Sequence, residues 1–392
     1  MKKNLLTYKD YIITGSLVSA TLLLLMRYTI LSSSLKWGTW SYGENLISYP
    51  GKFIRRGLLG EIVLFLSGDN PAFKTLNLIV FLNCILLLFL IYILFKKFNL
   101  EIKQFNILMI SSFGLLYLVY HGFSYNRKEI FAINFFLIFI YLLKKNNNKL
   151  NTGIRLYLIS SLLLLALMHE GTLFITIPFY YLILKNIDLK FSYIYSVSGI
   201  LLILFLITQQ GNSQDVLRIW NELSTFDREL IGSDLESSAI YALNYSVERQ
   251  LIIQSGLSVL NNGTINHWLH FLFYFGIYFF LNHLGCKLDN LSKLANSINL
   301  FPIELIFCIP LFLFGGADWG RYLVFFIYMY YFYILYIADI KKINLLSIGN
   351  TKFISIFAVY SFFTVMPQAS FQDIDLLNKL INSFQQIFQL IS

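Results

Sequence analysis

A chain of 392 residues that is 57% hydrophobic and only 13% charged, with a mean hydropathy of +0.65, leaves no room for a sizeable soluble domain and reads as a polytopic membrane protein. Its apolar runs are long and continuous, which in lipid means helices, since barrel strands would alternate over about ten residues; the expected fold class is an all-α transmembrane helical bundle. A net charge of +9 would suggest nucleic acid in a soluble protein, but here the retention of basic residues in cytoplasmic loops accounts for most of it, and no nucleic-acid partner is expected.

In chain order, Met1 to Leu31 has a basic start and an apolar core that carries Arg27 near its end without a clear cleavage site, so it reads as an uncleaved first span. Spans are then expected near 11–30, 75–95, 105–122, 129–144, 153–168, 171–185, 190–208, 267–284, 299–315, 321–339 and 351–367, eleven in all with the N-terminus inside. They form a single transmembrane domain over 1–367, with outer loops at 31–74 and 209–266 and an amphipathic tail at 368–392. The first outer loop holds Trp37, Trp40, Tyr42, Glu44 and Tyr49, followed by Gly57 to Ser67, a piece too short to span and expected as a re-entrant or interfacial helix. In the second, Ile240, Leu243, Val247 and Leu251 recur at helical spacing, so helices lying across the outer mouth are expected.

The apolar run from Leu156 to Leu184 is closed by Arg155 and Lys185 and interrupted at its centre by His169-Glu170. One tilted span would bury that pair in mid-membrane, whereas two short helices would bring it to a vertex near the opposite face. Because basic flanks mark the cytoplasmic side and both flanks here are basic, the hairpin is expected. A single span would also turn the Lys-bearing stretches 287–293 and 341–352 outward.

With that parity, seventeen of the thirty basic residues lie inside and sixteen of those are Lys, while eight of the nine arginines fall outside. Topology explains the lysines. It does not explain the arginines, whose planar fork binds phosphate and carboxylate in a way that ammonium cannot copy, so an anionic ligand is expected on the outer side. Four polar interruptions share that side: Arg55-Arg56, Arg127-Lys128-Glu129, His169-Glu170 and Asp318-Trp319-Gly320-Arg321.

Each has a plainer explanation. Arg55-Arg56 would serve as an interfacial anchor, Arg127-Lys128-Glu129 as a self-neutralising turn worth little, and Asp318 as a helix cap that still leaves Arg321 unexplained. His169-Glu170 has the weakest structural excuse, since apolar packing would serve better in its place. The candidate catalytic residues are therefore Glu170, His169 and Asp318, and the candidate ligands of an anionic substrate are Arg55, Arg56, Arg127, Lys128, Arg321 and Trp319.

Other polar residues rank lower: Asp373 and Asp375 belong to a solvated tail, and His267, His270 and Glu304 to ordinary span ends. Three cysteines suggest neither a disulfide framework nor a zinc site, no residues have metal-ligand spacing, and no Gly-rich loop supports a nucleotide. No metal or other cofactor is expected.

Aromatic faces suit sugar rings, arginines suit a lipid-linked pyrophosphate, and a carboxylate can take a proton from a sugar hydroxyl. Those are the needs of glycosyl transfer from a polyprenyl carrier. The segments Phe53-Ile54-Arg55-Arg56-Gly57-Leu58, Asn126-Arg127-Lys128-Glu129, His169-Glu170-Gly171 and Gly316-Ala317-Asp318-Trp319-Gly320-Arg321, on a chain of this length, resemble the bacterial O-antigen polymerases of the Wzy type. The resemblance implies a GT-C-like helical fold in the inner membrane, with the site facing the periplasm. It implies transfer of an undecaprenyl-pyrophosphate-linked glycan onto a lipid-linked repeat unit, in cooperation with a chain-length regulator. Many GT-C enzymes place an essential carboxylate in the first outer loop, where this chain offers Glu44 and Glu61.

Competing readings are another GT-C transferase or an O-antigen ligase using a polyprenyl-linked donor, a lipid or glycan transporter, and a non-catalytic envelope scaffold. The absence of a repeat or of matched Gly/Pro interruptions in two halves weakens the transporter.

Overall fold

The computed structural model describes residues 39–49, 51–98, 127–245 apart from 233, and 319–340, with scattered helical positions between 18 and 28. All regular elements among them are helical. They are α1 (Thr39–Asn45), α2 (Leu58–Ser67), α3 (Ala72–Lys97), α4 (Glu129–Lys145), α5 (Thr152–Met168), α6 (Glu170–Leu184), α7 (Leu189–Thr208), α8 (Ser213–Glu222), α9 (Thr225–Ile231) and α10 (Trp319–Ile340), with 3-10 turns at Leu235–Ser237 and Tyr241–Asn244. The expected spans 105–122, 267–284, 299–315 and 351–367, the tail 368–392 and Asp318 lie outside the described residues.

The chain divides into two compact units. One takes Met1–Asn99, Leu118–Gln250 and Tyr328–Ile337; the other takes the rest, of which the structure describes only the two ends of α10. The first unit thus contains α1 to α9 and the middle of α10.

Among the described residues two helices, α3 and α7, are long and apolar enough to cross a membrane, and α2, α5 and α6 are shorter apolar helices. At 1.5 Å per residue the arms α5 and α6 reach only about 26 and 23 Å, less than the ~30 Å of a hydrocarbon core. They fold back on each other, because Arg155 in the first turn of α5 meets Asp188 just beyond α6 at 2.8 Å. That is the hairpin, with His169 and Glu170 at its vertex. The backbone of His169 is extended (φ −167°, ψ 101°), which breaks the run into two helices.

Helices α3 to α7 bury a continuous core. Phe136 and Phe139 of α4 pack on Tyr180 of α6, with ring centres 5.5 and 5.1 Å away, and Asn134 Nδ2 donates to Asn83 Oδ1 of α3 at 2.7 Å. Tyr333 in the middle of α10 closes on Phe179. All five of these helices run between the same two ends. One end is rich in lysine: Lys97 lies over Tyr141, Lys144 over Phe98, and Arg155 pairs with Asp188. The opposite end holds the vertex.

That opposite end is covered by the described parts of the two long connections, 39–71 and 209–245, which are stitched together. Pro71 at the N-cap of α3 makes no side-chain cap, and Asp227 of α9 takes over, accepting from the Ala72 and Phe73 amides at 2.9 Å each. Ser48 donates to Glu222, Lys52 pairs with Asp215, and the Arg55 amide donates to the Gln209 carbonyl. Helix α2 buries Leu59, Gly60 and Val63 and leaves Ile62, Phe65 and Leu66 exposed. The helical spacing at Ile240 and Leu243 falls on a 3-10 turn, whose own repeat is three residues. Val247 and Leu251 lie outside the described residues.

Candidate functional site

Six of the nine expected site residues meet at the hairpin vertex. Arg56 grips Glu170: its Nε lies 2.9 and 3.0 Å from the two carboxylate oxygens and its Nη2 lies 2.8 Å from Oε1, a bidentate fork of the kind only a guanidinium makes. Arg55 adds a longer contact to the same oxygen at 3.3 Å. Arg55 is 5% exposed and Glu170 3%, so an interfacial anchor does not describe this pair. Burial, reinforced by the neighbouring Arg56 and opposed by Glu170, lowers the Arg55 guanidinium to about 10.

The second carboxylate is Glu44, at the end of α1. His169 Nε2 lies 3.0 Å from its Oε1, Arg56 Nη1 3.5 Å from the same oxygen, and Arg127 Nη1 3.5 Å from Oε2. Arg56 thus bridges the two carboxylates. Its backbone is left-handed (φ 68°), which costs a non-glycine residue about 1–2 kcal/mol and aims the side chain inward. Gly57 follows it because a Cβ there would run into the Tyr49 ring.

His169 has a structural duty that the sequence did not betray. Its Nδ1 accepts from the Gly171 amide at 3.0 Å and so caps α6. That hydrogen bond places the imidazole proton on Nε2, facing Glu44. A histidine held this way turns its Nε2 toward Glu44 at 3.0 Å and has its Nδ1 lone pair occupied by the Gly171 amide. Glu170, with a guanidinium on both oxygens, is likewise committed. Both expected bases are thus engaged, and Glu44 is the carboxylate that meets its guanidinium partners at the longer distance of 3.5 Å.

The Arg127-Lys128-Glu129 turn is not neutralised within itself alone. Arg127 reaches Glu44, and Lys128 Nζ donates to the carbonyls of Glu44, Arg56 and Met168 at 2.9, 3.3 and 3.1 Å. Burial lowers the Lys128 ammonium to about 8, with Arg56 acting the same way and Glu44, Glu170 and Glu129 opposing. Four cations (Arg55, Arg56, Arg127, Lys128) therefore stand with three carboxylates (Glu44, Glu129, Glu170), a surplus of one positive charge at a largely buried place when His169 is neutral.

Trp319 and Arg321 open α10, in the second unit, and Asp318 lies outside the described residues, as do His267, His270, Glu304, Asp373 and Asp375. Glu44 is the residue that sequence reasoning left off its site. The one pointer was the first-loop carboxylate of the resemblance, and of the two glutamates there Glu61 is exposed and accepts from the Tyr49 amide instead. Comparison of the chain with protein-family models, with curated proteins and with solved structures found no match.

Proposed function

We propose that the vertex cluster is the active site of an O-antigen polymerase, an eleven-span inner-membrane glycosyltransferase of GT-C-like fold. It would take a glycan linked to undecaprenyl pyrophosphate and join it to a second lipid-linked repeat unit on the periplasmic side. The observation that carries this reading is Arg56, shared between two carboxylates in a buried cluster of net positive charge. Such a cluster is set to accept one more anion, and pyrophosphate suits the guanidinium fork.

In the reaction, the acceptor hydroxyl gives its proton to a carboxylate as its oxygen attacks the anomeric carbon. The bond from that carbon to the pyrophosphate oxygen breaks, and undecaprenyl pyrophosphate leaves with the bonding pair. Arg56 and Arg127 would stabilise the charge that grows on the leaving group, about 3–4 kcal/mol for a well-placed donor. As phosphate draws these guanidinium groups away from Glu44, that carboxylate is released to act as the base, worth about 10²–10⁴-fold. Glu170 would keep Arg56 in place throughout, and His169 would steer Glu44. Arg321, Trp319 and Asp318 are proposed as further substrate contacts from their motif alone.

A deletion strain complemented with Arg56→Ala, Glu44→Gln, Glu170→Gln or Arg321→Ala tests this through its lipopolysaccharide ladder. Each variant is expected to collapse the ladder to core carrying one repeat unit. Core without any repeat would instead identify a ligase, and four normal ladders would remove the site.

A further inference from the structure

The sequence places Lys128 among the ligands of the substrate, yet its surroundings leave it no such part. Its ammonium group has three hydrogens, and all three are directed at backbone carbonyls, those of Glu44, Arg56 and Met168. The side chain is 2% exposed.

The three carbonyls come from three separate pieces of chain. Glu44 is in the last turn of α1, Arg56 stands two residues before α2, and Met168 ends α5. Two of them belong to site residues themselves and the third to the residue before His169. We infer that Lys128 is the positioning residue of this site, a three-way tie that holds Glu44, Arg56 and His169 in register while touching no substrate. Its bond to the Arg56 carbonyl also helps to hold that residue in its left-handed conformation. Only a compact ammonium can point three donors at carbonyls around one centre; a planar guanidinium cannot.

The groups that face Lys128 are the carboxylates of Glu44, Glu170 and Glu129 and the guanidinium of Arg56. With its value in the fold near 8, the ammonium sheds a proton above that pH and keeps only two donors for three carbonyls. The unfolded chain holds its proton to the ordinary lysine value of 10.5. Between 8 and 10.5 the folded state therefore binds fewer protons, and this group adds stability as pH rises. Turnover should fall through pH 8 while the contribution of Lys128 to stability grows.

That part of the inference which concerns turnover rests on the proposed glycosyl transfer; the tie itself does not. Amide hydrogen exchange on the full-length protein in nanodiscs separates them. Lys128→Met is expected to speed exchange about tenfold or more in the three tied segments, read at the Leu46, Arg55 and His169 amides, each bonded to a carbonyl in the fold. Exchange in α7 should stay unchanged. Arg127→Met, which removes the same charge next door, should not loosen those segments, and Lys128→Arg should not restore them.

In parallel, Lys128→Arg, which keeps the positive charge of the cluster, should bind undecaprenyl pyrophosphate within about threefold of the wild type while losing turnover. Unchanged or uniformly raised exchange would overturn the tie, and so would lost lipid binding with exchange intact. Wild-type protein that neither binds the lipid nor polymerises would sink the proposed function and leave the exchange result to decide on Lys128. Should Lys128→Met fail to fold, Lys128→Arg, which keeps the charge but not the three-way geometry, must loosen the same three segments, and no change there overturns the inference.

Discussion

Two glutamates sit a few ångströms from one arginine, and their surroundings assign them different work. Glu170 is forked by Arg56 at 2.8–3.0 Å, with Arg55 beside it. Removing its charge takes from Arg55 and Arg56 the carboxylate that both contact, and breaking such a buried pair costs about 3–5 kcal/mol. Glu44 meets its guanidinium partners at 3.5 Å, and its backbone is held independently by Lys128. Glu170→Gln should therefore lower the melting temperature markedly and abolish polymer, whereas Glu44→Gln should abolish polymer with a loss of about 1 kcal/mol or less. Thermal scans of the two purified variants beside their ladders decide it; equal destabilisation would remove the division of labour. At this scale the sequence was half legible. Charged residues in an apolar chain announce themselves, so Arg55, Arg56, Arg127, His169 and Glu170 could be picked out. Their division into anchors, ties and reactive groups could not, because nothing in Arg127-Lys128 tells that one side chain will reach a carboxylate and the other three carbonyls.

Elements were legible where the chain writes its own boundaries. Arg155 and Lys185 bracket one apolar run, and the pairing of Arg155 with Asp188 confirms that the run folds back. Through-space caps leave no such trace: Asp227 finishes the start of α3 from 155 residues away, and a histidine is not an expected N-cap for α6. The fit of α2 beneath the first outer connection is a close approach of the same hidden kind. A Cβ on Gly60 would collide with the Ile47 carbonyl, three residues beyond Glu44. A backbone atom cannot swing aside as a side-chain tip can, so Gly60→Ala must push α2 away from the segment that carries the Glu44 carboxylate. The expected outcome is a loss of about 1–3 kcal/mol together with a strong fall in polymer length. Gly68→Ala, at a glycine with open space around it but a positive φ, is the comparison: it strains the backbone without moving α2 onto Glu44, and its ladder should stay long.

For the first unit as a whole, the segregation of charge makes one more demand. Five helices run between an end where Lys96, Lys97, Lys144, Lys145 and Lys185 gather and an end where Arg55, Arg56 and Arg127 gather. Positive charge is held back on the cytoplasmic side whatever its chemistry, so in the proposed topology the lysines would set the orientation and the arginines would be carried across against that bias. Tolerating them requires compensation, and the carboxylates of Glu44 and Glu170 supply it. The proposed topology then fixes which side a small reagent can reach. In a background with Cys84, Cys286 and Cys308 replaced, a cysteine at exposed Asn147, in the turn between α4 and α5, should react with an impermeant maleimide only after the inner membrane is opened. A cysteine at exposed Asp69, between α2 and α3, should react in intact spheroplasts. Reversed labelling would put the arginine cluster in the cytoplasm, where undecaprenyl-linked repeat units awaiting polymerisation are not presented, and the polymerase reading would fail with it even if every distance at the vertex stood.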